Sequence, residues 1–221
     1  MFTPFMRKFL FTALSGIILF VSSAHAQIIY GPQIGVIYST SVGGYSYYHY
    51  EWDYGYRAGA FAQLPVKKNQ FLRSEIVFRM VGYKYQYTNI YPSGSVAVSG
   101  FLHAGYLQVP LLYERSFENG FHLDGGAFAE CQLTQHWNEF TYSRSSIDSF
   151  NISTTELENS HAITANRFQA GLAAAIGFMK SGFDLSLGSQ YNMTSLFPID
   201  DETYKKQHLF TLALSLAYHI K

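Results

Sequence analysis

The last stretch of the chain alternates without a break. Phe210, Leu212, Leu214, Leu216, Tyr218 and Ile220 share one parity, and Thr211, Ala213, Ser215, Ala217 and His219 share the other. A period of two belongs to a strand, with an apolar face and a small or polar one. Beyond residue 26 no apolar run approaches the ~18 residues that a spanning helix needs. Yet aromatic residues make up 18% of the chain and charged residues only 14%. Both facts are met if one face of every strand is turned toward lipid and the strands close into a barrel.

The same alternation recurs upstream. Phe183, Leu185, Leu187, Tyr191 and Met193 oppose Asp184, Ser186, Gly188, Gln190 and Asn192, and Phe168 to Phe178 oppose Arg167, Gln169, Gly171, Ala173 and Gly177. Phe121, Leu123, Ala127, Ala129, Cys131 and Leu133 oppose His122, Asp124, Phe128, Glu130 and Gln132. Leu107 to Tyr113 oppose Gln108, Pro110, Leu112 and Glu114. Leu72, Ile76, Phe78 and Met80 oppose Arg73, Glu75 and Arg79. Ala58 to Leu64 oppose Arg57, Phe61 and Gln63, and Ile34, Val36 and Tyr38 oppose Gln33 and Gly35. Tyr83, Tyr85 and Tyr87 take the parity opposite to Leu72–Met80, which a bulge near Val81-Gly82 would bring back to the lipid face.

Connections alternate in length as well. Short turns fall at Pro65–Gln70, Ser116–Gly120 and Met179–Gly182; long connections fall near Ser39–Tyr47, Lys84–Gly105, Gln135–Asn166 and Ser195–Gln207. The fold class expected is all-β: an eight-stranded antiparallel transmembrane β-barrel with short periplasmic turns and longer extracellular loops. A soluble ligand-binding barrel would bury its apolar set inward, whereas here the inward set carries most of the charge.

At the amino terminus, Arg7 and Lys8 precede an apolar run from Phe9 to Val21 that ends in Ala24-His25-Ala26. This order predicts a cleaved signal peptide over 1–26, a mature barrel domain over 27–221, and export to the cell outer membrane. Without Arg7 and Lys8, 13 of the 15 basic residues remain against 15 acidic ones. That balance gives no footing for nucleic-acid binding. Cys131 is the only cysteine, so no internal disulfide can form.

The inward face is the main chemical inventory. It predicts a lumen charge network of Arg57, Arg73, Glu75, Arg79, Glu114, Asp124, Glu130, Arg167 and Asp184, its carboxylates and guanidiniums pairing within a plugged core. The alternative is a small pore. His122 and Asp124, with Ser186 or Ser215, offer a lipid-modifying acyl hydrolase or transferase reading, against that of a satisfied interior histidine. No metal-ligand spacing stands out, and neither a metal nor a cofactor is expected. In the first loop, Tyr45, Tyr47, Tyr48, Tyr50 and Trp52 form a candidate extracellular binding surface. Alternatively, Tyr48 to Tyr56 continue the outward parity of Ala58–Leu64 as an aromatic girdle.

Four stretches resemble the PorT-like outer-membrane β-barrel family common in Bacteroidetes: "YRAGAFAQLPV" (56–66), "FLRSEIVFRMVGYKYQ" (71–86), "GYLQVPLLYERSF" (105–117) and "FHLDGGAFAECQL" (121–133). The third accounts for Pro110 in mid-strand. The chain departs from the family in its ending, where Tyr218 is followed by His219-Ile220-Lys221. The resemblance implies fold and location, and no catalytic residues come with it. The function expected is a non-enzymatic barrel with a structural, binding or secretion-accessory role. Its expected partners are outer-membrane lipid, the barrel assembly machinery, and a secretion-system component or surface ligand.

Overall fold

A computed structural model describes residues 28–44, 49–91, 94–145, 166–196 and 206–220. The expected signal segment 1–26 lies outside the described residues, as do Tyr45, Tyr47 and Tyr48. Eight strands follow one another: β1 (Ile29–Gly43), β2 (His49–Lys67), β3 (Gln70–Tyr91), β4 (Gly94–Ser116), β5 (Phe121–Ser145), β6 (Phe168–Lys180), β7 (Phe183–Asn192) and β8 (Gln207–Tyr218). Each is antiparallel to the next, and β1 pairs with β8 from Gln33↔Ala217 to Gly43↔Gln207, so the sheet closes on itself. Closure leaves no sheet edge along the wall of the barrel.

Burial is inverted relative to a water-soluble domain. Ile34, Ile76 and Met193 are 61%, 62% and 61% exposed, while Arg79 and Glu114 are 1% and 0% exposed. Such an outer surface is stable only against hydrocarbon. Aromatic residues gather at both heights of the apolar band. Tyr38 stacks on Trp52 at 4.9 Å and packs against Tyr54, with Phe210 edge-on to Trp52. At the opposite end Phe121 meets Phe178 and Phe183 meets Tyr218, at 5.1 and 5.0 Å. Along β8, Phe210 and Tyr218 are separated by about 20 Å of barrel height at a ~40° tilt, which suits a membrane band.

The turn end is built from tight connections. Lys67 pairs with Gln70 across a turn in which Asn69 has φ 61°. Lys180 pairs with Phe183 across Ser181 and Gly182, both at positive φ (54° and 84°). Two consecutive positive φ values give the primed turn whose twist matches the strands it joins. Gly120, at φ 89°, ends the turn between β4 and β5.

At the other end the structure departs from the sequence expectation. The stretch Lys84–Gly105 is not a long loop. β3 and β4 stay paired from Gln70↔Arg115 to Tyr91↔Gly94, so they form one long hairpin. β5 likewise runs on to Ser145, leaving a shorter connection than Gln135–Asn166 implied. No bulge turns the β3 tyrosines outward. The odd parity of Arg73, Glu75, Val77 and Arg79 continues through Val81 to Tyr83 and Tyr85, which are buried inside. The irregularities lie on other strands. Two are on β2, between Trp52 and Tyr56 and between Pro65 and Lys67, and a third is at Gly105/Tyr106 in the β4–β5 ladder. The extra β2 residue also breaks the proposed girdle, because Tyr50 packs against the buried interior while Tyr54 and Tyr56 stay exposed.

The interior therefore has two parts. Toward the extended end, Ile37, Tyr83, Tyr85, Leu102, Tyr106 and Leu209 form an apolar core, joined by Leu196 from the β7–β8 connection. Toward the turn end the inward positions are polar and charged. With the turns in the periplasm, an epitope inserted between Tyr91 and Gly94 is expected to label on intact cells. One inserted at Asn69 should label only after the envelope is opened, and the reverse pattern would invert the topology.

Candidate functional site

Strand alternation places Arg73, Glu75 and Arg79 on one face of β3, directed inward, and the neighbouring strands bring them their partners. In the middle of the barrel Arg79 Nη2 lies 2.7 Å from the Glu130 carboxylate, and Arg79 Nη1 donates to Gln190 Oε1 at 2.7 Å. Glu130 also accepts from Gln108 Nε2 (3.1 Å) and Asn192 Nδ2 (2.8 Å). Asn192 donates in turn to Gln169, which donates to the Tyr106 hydroxyl at 3.1 Å. The guanidinium of Arg79 sits 5.6 Å from the rings of both Tyr106 and Phe128. A carboxylate with several donors, and a guanidinium between aromatic faces, meets the conditions under which buried charge is tolerated.

A second cluster lies nearer the turn end, around Arg73. Its Nε donates to Glu75 Oε1 (2.8 Å) and its Nη1 to Asp184 Oδ2 (3.0 Å), with Glu114 3.8 Å away. Arg57 Nη2 donates to the second Glu75 oxygen at 2.6 Å. The Phe61 ring lies under the Arg73 guanidinium at 4.5 Å. Glu114 accepts from Gln63 and from Ser116 Oγ (2.9 Å). His122 joins two carboxylates, with Nδ1 3.0 Å from Asp124 Oδ1 and Nε2 2.8 Å from Asp184 Oδ1. The ring lies across β6 at Gly177, where an added Cβ would come within 2.1 Å of Nε2. That position therefore has to be glycine. His219 approaches Asp184 Oδ2 at 3.6 Å.

Eight of the nine expected network residues thus meet inside the barrel. Arg167 does not. It is exposed just before β6 begins at Phe168 and takes no part in these pairs, because the strand does not extend far enough to turn it inward. The amides Gln63, Gln108, Gln169, Gln190 and Asn192, all at inward parity positions, join the network beside the expected charges. Of the first-loop surface, Tyr50 accepts a hydrogen bond from Gln207 Nε2 (2.7 Å) and Trp52 joins the outer aromatic belt. These two do not form a common surface patch.

The geometry bears on chemistry in two ways. Both ring nitrogens of His122 face carboxylates, whereas acyl transfer requires one of them to face a serine hydroxyl. Ser186 and Ser215 instead line a cavity of about 30 Å³ between the two charge clusters, shared with Gln33, Arg57, Glu75 and Asp124. That volume holds about two water molecules.

Residues 22–198 match the family of the outer membrane protein β-barrel domain. The chain belongs to that family. Its members' location, together with the inverted burial, places the protein in the outer membrane. Among solved structures, the attachment invasion locus protein Ail of Yersinia pestis is similar at 13% identity, covering 88% of this chain and 99% of that one with a TM-score of 0.46. Neisserial surface protein A gives 12%, 87%, 98% and 0.41, and OprG from Pseudomonas aeruginosa gives 9%, 89%, 98% and 0.40. No curated protein matches the chain.

In this barrel-domain protein Glu130 accepts three hydrogen bonds, from Arg79, Gln108 and Asn192 on three strands, so its removal strands Arg79 in the interior. Glu130→Ala is expected to cost about 3–5 kcal/mol of unfolding free energy. Leu133→Val, on the outer face, should cost under about 1.5 kcal/mol. Urea unfolding in detergent measures both.

Proposed function

We propose that this outer-membrane barrel is non-enzymatic and closed, and that it acts through the surface it raises above the membrane, as a structural or binding protein or a secretion accessory. The observation that carries this reading is a contrast within the structure. Ion pairs and amides pack the described interior around a cavity of about 30 Å³, while β3, β4 and β5 run 22, 23 and 25 residues against 10–13 for β6, β7 and β8. About 10 residues suffice to cross the membrane, so the excess makes a sheet standing beyond it. β5 pairs with β6 only as far as Cys131↔Phe168, and its remainder pairs with β4. A sheet of this kind can present both a face and a strand edge to a partner.

The PorT-like resemblance favours the secretion-accessory form of the proposal. "GYLQVPLLYERSF" falls in β4 up to Ser116, and Pro110 is buried on the inner face, where the β3–β4 pairing skips the position opposite it. The proposal includes removal of residues 1–26 on export.

Two measurements test the reading. In planar bilayers the unmutated protein is expected to show no large, steady conductance; such a conductance would promote the pore alternative. In cells, residues 86–99 are replaced by Asn-Gly, which favours a two-residue hairpin turn. This change should leave heat-modifiable folding and outer-membrane insertion intact and yet reproduce the phenotype of deleting the gene. Full complementation by the trimmed chain would place the function in the barrel wall instead.

A further inference from the structure

The carboxylates around Arg73 outnumber the cations that face them. Glu75, Glu114, Asp124 and Asp184 supply four negative charges, and Arg57 and Arg73 supply two positive ones. All four carboxylates are under 9% exposed. Glu114 and Asp124 are moreover direct cross-strand partners, an arrangement in which like charges repel. Two imidazoles remain. If protons alone made up the deficit, His122, His219 and the carboxylates would have to hold two of them. Neither ring nitrogen of His219 has a hydrogen-bond partner, although both are buried.

We propose that Glu114, His122 and Asp124 form a binding site for one divalent transition-metal ion. Each offers a ligand atom, and these atoms lie within 4.8 Å of one another. A dication there, with His122 neutral, brings the cluster to zero net charge and separates Glu114 from Asp124. The surroundings match those of a metal-bound histidine. Nδ1 faces Asp124, while Nε2 is directed at Asp184 Oδ1, 2.8 Å away. Asp184 is itself held by Arg73 at 3.0 Å. A ligating imidazole ordinarily donates its other N–H to such a carboxylate. Glu114 is oriented in the same way by Ser116 Oγ and Gln63. One nitrogen and two carboxylate oxygens, with a cavity of about 30 Å³ beside Asp124, favour Zn²⁺ or Mn²⁺ over a soft ion. His122 is the second residue of β5, beside the β4–β5 turn, so an ion would enter from the mouth at the turn end.

The test unfolds the full mature chain in urea with chelator and refolds it into detergent micelles with Zn²⁺ or Mn²⁺. Free ion is then removed and bound metal is measured. About one ion per chain and a raised urea midpoint are expected. Asp184→Asn should weaken retention about 10–100-fold, and His122→Gln should abolish it. His103→Gln removes a histidine–aspartate pair outside the cluster, His103 with Asp53 at 2.7 Å, and should change nothing. No retained ion in the unmutated protein overturns the proposal, as does loss of the ion through His103→Gln. If His122→Gln does not refold, the Co²⁺-loaded unmutated protein decides. A four- or five-coordinate spectrum supports the site, and the spectrum of aqueous Co²⁺ overturns it.

Discussion

Eight strands closed into a ring leave an interior only as wide as the side chains that point into it. Lipid outside takes most of the apolar residues, so the polar ones that point inward have to satisfy each other within that width. This constraint runs through the whole structure. It explains why Glu130 accepts from three strands, why Arg79 lies between two aromatic rings, and why Gly177 carries no side chain where the His122 ring crosses β6. It also explains the change of character along the axis. Charges are tolerated where partners converge from all sides, and at the extended end aromatic and aliphatic groups fill the same space without needing partners.

A filled interior restricts where function can reside. The wall meets lipid and the central core meets itself. What remains is the sheet raised by β2 to β5 and the polar mouth at the turn end. These two regions are separated by the apolar core of Tyr83, Tyr85, Leu102 and Leu209.

Parity made the wall legible in the sequence. Because the side-chain period is two, Phe210–Ile220 and its upstream counterparts sort their residues between lipid and lumen without any knowledge of neighbours. Less was legible where neighbours decide. Tyr83 and Tyr85 suggested a bulge because tyrosine suits a membrane rim. In fact their strand keeps its parity and it is the partner strand, β2, that carries the extra residue. Lys84–Gly105 resembles a loop because it is polar and contains glycine, yet its described residues pair as far as Tyr91↔Gly94. Arg167 had the inward parity, but its strand begins one residue later. The Glu114–His122–Asp124 cluster has no local spacing to detect. It depends on the register that sets Glu114 opposite Asp124, and register between strands is not written in either strand alone.

The seam between β1 and β8 has a kinetic consequence. Every other strand pair is a hairpin or joins consecutive strands, and can form from chain already at hand. The pairing of Gln33 with Ala217 must wait for the last strand. The ion pair of Arg73 with Asp184, 111 residues apart, obeys the same order. Contacts of such separation form late and slowly. The charges of the lumen therefore stay hydrated in an open, growing sheet until the final strand arrives, and they leave water in the same event that seals the wall. Desolvation and closure become a single cooperative step, so a barrel held open during its assembly keeps its charges wet and its native ion pairs unmade.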